Sequence, residues 1–161
     1  MQTTPEEEAR YEELQRMALE FAREGHTVAL MAMVGAGMSV NLCDAKGNTL
    51  LMLCAYHNRL KTAEALLLRG ANVDQKNDRG QTPLAGVCFK GYDAMATLLL
   101  NFGANPHENN GLGATPITFA LLFGHRELAQ TLIKHGGKKP STFQRLLLGF
   151  GQWFSPQKSS A

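Results

Sequence analysis

The stretch that decides the fold runs Gly80-Gln81-Thr82-Pro83-Leu84-Ala85-Gly86-Val87-Cys88-Phe89-Lys90-Gly91-Tyr92-Asp93-Ala94-Met95-Ala96-Thr97-Leu98-Leu99-Leu100-Asn101-Phe102-Gly103. Thr82 can cap the orphan amides of a helix start, and Pro83 fits the first helical turn. The small residues Ala85, Gly86 and Cys88 let this short helix pack closely. Gly91-Tyr92 breaks it, and the pattern predicts a second helix from about Asp93 to Asn101 with Ala96, Leu99 and Leu100 on one face. Gly103 suits a left-handed stop, and Ala104-Asn105-Pro106 leads away in extended form. Asn109-Asn110-Gly111-Leu112-Gly113 then makes a polar turn.

Working outward, the same positions recur at a step of 33 residues. Gly25, Asn58, Gly91 and Gly124 form one column, and Gly37, Gly70, Gly103 and Gly136 another. Met33, Leu66, Leu99 and Leu132 keep the step, as do Val34, Leu67, Leu100 and Ile133. Shorter columns are Gly47, Gly80, Gly113; Thr49, Thr82, Thr115; and Leu51, Leu84, Ile117. Each unit is therefore two antiparallel helices and a projecting turn. Neither helix pair can bury its apolar face alone, so the units must stack.

The 161 residues are 44% hydrophobic and 19% charged, which excludes a disordered chain. The longest apolar stretch, around Val28 to Val34, is far short of the roughly 20 residues that span a bilayer. The acidic opening around Glu6, Glu7 and Glu8 is unlike an export signal. Three cysteines, Cys43, Cys54 and Cys88, form no Cys-x-x-Cys pair and argue against a disulfide framework. A soluble cytoplasmic protein is the expectation. The formal charge of +2 hides an asymmetry: residues 1–24 carry a net of −4, and residues 134–161 a net of +5 with no acid at all. The near-neutral middle lacks the dense basic face of a nucleic-acid binder, so no nucleic-acid partner is expected.

Thr82-Pro83-Leu84, Thr115-Pro116-Ile117, Gly124-His125, and the leucine runs ending Gly70-Ala71-Asn72 and Gly103-Ala104-Asn105 resemble the ankyrin-repeat pattern. The resemblance covers roughly residues 14–137. Residues 47–57 and 78–91 are more narrowly similar to small stand-alone bacterial ankyrin proteins, some of them connected with oxidative-stress defence. It implies an all-α solenoid of about four repeats whose inner helices and turns line a concave, non-catalytic protein-binding surface. The repeats are expected at about 12–46, 47–79, 80–112 and 113–137, within an ankyrin domain of residues 1–137. The first lacks the Thr-Pro-Leu start and reads as a polar cap. At the fourth helix position, where the family usually has His, stand Met52, Ala85 and Thr118.

No constellation of nucleophile, base or metal ligands emerges, so neither an enzyme, a cofactor nor a metal is expected. His26 and His125 fall in the inter-helix turn, where the family's imidazole caps backbone groups. Cys54 and Cys88 read as packed core thiols, while Cys43 sits in a turn. Gly111-Leu112-Gly113 lacks the Gly-Lys-Ser/Thr continuation of a phosphate loop. What remains is the groove. Its columns are Leu53, Gly86, Phe119; Tyr56, Phe89, Leu122; and His57, Lys90, Phe123. Aromatic anchors on a concave face suit a protein-binding surface. Asp74, Lys76, Asp78 and Arg79, then His107, Glu108 and Asn109, would supply the polar rim from the turn tips.

Past the repeats, Phe143, Leu146, Leu147 and Phe150 keep the i, i+3, i+4, i+7 spacing, with Ser141 or Thr142 as a cap. Residues 138–155 are expected to form an amphipathic capping helix over the last repeat, and residues 156–161 a disordered tail. The expected function is a monomeric adaptor or regulator binding a protein partner. The alternatives are an inhibitor or immunity protein that occludes a toxin or enzyme, or a membrane-peripheral protein using the C-terminal segment.

Overall fold

Thr49, Thr82 and Thr115 act as their chemistry dictates. Each Oγ1 accepts from the backbone N–H three residues on: Met52 at 3.1 Å, Ala85 at 3.3 Å and Thr118 at 3.3 Å. The computed structural model describes residues 4–111, 113–136 and 138–150. Among the described residues the chain is all-helical: α1 (Pro5–Glu24), α2 (Thr27–Gly35), α3 (Leu50–Tyr56), α4 (Leu60–Leu68), α5 (Pro83–Lys90), α6 (Asp93–Asn101), α7 (Pro116–Leu122), α8 (Arg126–Gly136) and α9 (Thr142–Phe150). The helices α1, α3, α5 and α7 stack in sequence as an inner layer, and α2, α4, α6 and α8 form an outer one. The architecture is an all-α solenoid. Its core is a continuous seam between the layers, with Leu51, Leu66, Leu84, Leu99, Ile117 and Leu132 fully buried.

The helix-breaking column behaves as one conformational class. Gly25, Asn58, Gly91 and Gly124 have φ of 85°, 56°, 75° and 82°. Gly91 is required twice over, because a Cβ there would also overlap the ring of His125. That ring reaches back one repeat, with Nε2 3.2 Å from the Phe89 carbonyl oxygen. One repeat pair earlier, Arg59 Nε donates to the Arg23 carbonyl at 2.7 Å while its stem packs over Gly25. The family's imidazole role is thus filled by His125 at one junction and by Arg59 at another. His26 instead meets the Glu24 carboxylate at 2.7 Å.

Both ends depart from the regular unit. Helix α1 begins at Pro5, well upstream of residue 12, because Thr4 and Glu7 form a complete capping box. The Thr4 N–H donates to Glu7 Oε2 at 2.8 Å, and the Glu7 N–H to Thr4 Oγ1 at 3.3 Å. Glu6, Glu7 and Glu8 then sit at the positive end of the helix dipole. A search by repeat column passes over this start signal, since it lies outside the 33-residue register. Gly136 is likewise still the last helical residue of α8, whereas Gly103 stands beyond the end of α6 with φ of 89°. The missing Cβ of Gly136 admits the His107 ring.

At the other end α9 packs on α7, so it continues the inner layer rather than covering α8. Ser141 and Gln144 form a reciprocal cap. The Ser141 N–H donates to Gln144 Oε1 at 2.8 Å, and the Gln144 N–H to Ser141 Oγ at 3.2 Å. The Gln144 amide then donates to Thr115 Oγ1 at 3.2 Å and Thr118 Oγ1 at 3.4 Å. This anchor decides which face docks: Gln144 is buried and Leu147 and Leu148 join the core, but Phe143 and Leu146 stay more than half exposed. The expected apolar stripe is therefore split, with Leu147 inside and Phe143 and Leu146 outside. The Phe150 side chain and residues 151–161, which include the expected tail at 156–161, lie outside the described part.

Two predictions follow from these junctions. Replacing Gln144 by Ala should lower unfolding free energy by about 1–2 kcal/mol in urea titration, whereas Phe143→Ala should cost under about 0.5 kcal/mol. Equal losses would mean that Phe143, not Gln144, carries the docking. Gly91→Ala should cost clearly more than Gly124→Ala, since both pay about 1 kcal/mol for the left-handed backbone but only Gly91 meets a ring. Equal melting temperatures for the two variants would contradict the His125 contact.

Candidate protein-binding groove

Because the three threonine caps start their helices in one register, residues four, seven and eight positions later fall above one another. This brings Leu53, Tyr56, Gly86, Phe89 and Phe119 around a concavity of about 590 Å³. Leu53 is buried in its floor, and Phe119 packs partly on the core. Tyr56 and Phe89 remain 44% and 40% exposed. They are not mobile ornaments: the Lys90 ammonium lies 4.6 Å from the Tyr56 ring centroid, and Phe89 meets Phe123 edge-on at 4.4 Å. His57 stands against Tyr56, centroid to centroid 5.8 Å. Desolvation, then the charges of Arg59, Arg23 and Lys90, hold its imidazole below the ordinary value. Phe123 and Leu122 continue the aromatic row beyond the concavity and are about half exposed.

The turn tips divide into two groups. Asp78 and Arg79 line the concavity, together with Lys46, Asn48, Asn77 and Gln81. Sequence reasoning missed Lys46, although it stands 33 residues before Arg79 and so shares its column. Asp74, Lys76, His107, Glu108 and Asn109 lie away from the concavity and tie the tips together. Asp74 accepts the Asn105 N–H at 3.1 Å, and burial pushes its carboxyl up despite that bond. Lys76 pairs with Glu108 at 2.7 Å, and this hydrogen bond and charge hold the Glu108 carboxyl down. Asn109 accepts the N–H groups of Gly111 and Gly113 within its own turn. His107 packs against Gly136. Nearer the groove, the Asp78 N–H donates to the Lys46 carbonyl at 3.1 Å, and the Asn77 amide to Asn48 Oδ1 at 2.9 Å.

The thiols sort by burial. Cys54 and Cys88 are buried and Cys43 is exposed. Burial pushes the Cys54 thiol up to about 12, and its S–H donates to the Ala22 carbonyl at 3.3 Å. Cys88 is pushed up further for the same reason. Among the described residues no three His, Cys, Asp or Glu side chains cluster as a metal site, and no helix is long and apolar enough to cross a membrane.

Stacked helix-turn-helix units with a preformed concave face define an α-solenoid of the interaction-module class. The family model for "Ankyrin repeats (3 copies)" matches residues 64–143, and that for a single "Ankyrin repeat" matches residues 46–78. The chain belongs to the ankyrin-repeat family, whose members are generally protein–protein interaction modules. It is similar to the SH3 and multiple ankyrin repeat domains protein 2 of Homo sapiens, 39% identical over 61 residues. That match takes in 38% of this chain and 3% of the human protein's length.

Thiol reactivity checks the packing around the groove. A single thiol, Cys43, should react with a disulfide reagent in the native protein, and all three in denaturant. Rapid native reaction of Cys54 or Cys88 would mean that the inner-layer seam opens.

Proposed function

We propose that this chain is a non-catalytic adaptor or regulator that captures a protein partner in the groove between the inner helices and the turn tips. One observation carries the reading: Tyr56 and Phe89 stay 44% and 40% exposed over the concavity while the leucines beside them are sealed. A stack built for stability alone gains little from aromatic rings held at a wet surface. An interface gains much, because aromatic anchors ringed by polar groups dominate binding energy. Covering them would yield a few kcal/mol at about 25 cal/mol per Å². The protein acts as a cytoplasmic monomer in this reading, which agrees with its three free cysteines.

The test is capture of the partner from host extract, comparing the wild type with Tyr56→Ala combined with Phe89→Ala. Capture should be abolished, with helicity unchanged and the melting temperature within about 5 °C of wild type. A much larger fall in melting temperature would make these rings core, and undiminished capture would move the site elsewhere.

A further inference from the structure

The column that holds Arg79 also holds Lys46, and both side chains line the same concavity. Neither forms an ion pair among the described residues. Lys90 adds a third cation at the foot of the groove, its charge over the Tyr56 ring. Against these three stands one lining carboxylate, Asp78. At the N-terminal edge Glu20 and Asp44 are already engaged: Arg23 pairs with Glu20 at 3.1 Å and with Asp44 at 3.5 Å. The opposite edge, formed by Phe119, Leu122 and Phe123, carries no charge. Burial is the first cause that holds the His57 imidazole down; of the charges that act on it, Arg59, Arg23 and Lys90 lower it and Glu20 raises it.

An apolar floor between unpaired cations selects a partner by two properties at once. A basic segment would meet like charge, and a purely apolar one would leave Lys46 and Arg79 without counter-charges. The concavity of about 590 Å³ has room for a few large side chains rather than for a folded domain. Resting on the groove reading above, we propose that the groove receives an acidic segment of its partner. One or two aromatic or aliphatic anchors enter between Tyr56, Phe89 and Phe119. Flanking Asp or Glu side chains meet Lys46, Arg79 and Lys90.

The test uses the full chain and three labelled probes in fluorescence anisotropy. They are a dodecapeptide with a Leu-Trp-Leu centre and glutamates on both flanks, the same centre flanked by lysines, and dodecathymidylate. The acidic peptide should bind about tenfold or more tightly than the basic one at low salt, with the preference shrinking as salt rises. Lys46→Glu combined with Arg79→Glu should invert that preference while circular dichroism and melting stay unchanged, since both residues are exposed. Phe89→Ala should weaken both peptides. Equal binding of the two peptides, still sensitive to Phe89→Ala, overturns the acidic preference and leaves the groove reading standing. Binding of neither peptide overturns the proposal, and the capture experiment then decides the groove on its own. Tighter binding of the thymidylate would replace the acidic segment with single-stranded nucleic acid, whose bases stack on aromatic rings.

Discussion

Everything in this molecule depends on one constraint: no unit can cover its own apolar surface. Leu51, Leu84 and Ile117 occupy the same column and are all sealed, because a neighbour stacks on each. A stack must then end somewhere without exposing the next such residue. At the first repeat the answer is a long, acid-rich helix with its own capping box. At the last it is α9, a further inner helix with no outer partner among the described residues, pinned through Gln144 to the N-cap threonine and first turn of α7. The pin leaves Phe143 and Leu146 in water.

The groove is a consequence of that stacking rather than a separate device. Once threonine caps fix the register, residues seven positions on must line up, and the surface they make is held before any partner arrives. The tips are held as well, through Asn77 to Asn48, Asn105 to Asp74 and Lys76 to Glu108. Preorganisation of this kind lowers the ordering cost of association, which is where much binding energy is otherwise lost. Most tip side chains are consumed in making the scaffold stiff. Lys46 and Arg79 remain available for chemistry with a partner.

The repeat, the helix pairs and the aromatic row were all legible in the sequence, because each is a statement about period. Asp93 to Asn101 reads directly as a helix from its apolar face and flanking glycine. What escaped was aperiodic. The Thr4–Glu7 cap precedes the repeat, and the rotation of α9 depends on a hydrogen bond between residues 29 apart, Gln144 and Thr115. Among the candidate groove residues, Tyr56, Phe89 and Phe119 meet at the concavity because column position dictates it. Asp74, His107 and Glu108 do not, since a turn's sequence does not tell which side chains face the groove and which bind the next turn.

The central claim is that the partner lies on the inner face. Amide hydrogen exchange of the captured complex against the uncomplexed protein measures this most directly. Added protection confined to the turn tips at 44–49 and 77–82 and to α3, α5 and α7 is the result the account predicts. Protection concentrated on the outer helices α2, α4, α6 and α8, with the inner face unchanged, would contradict it.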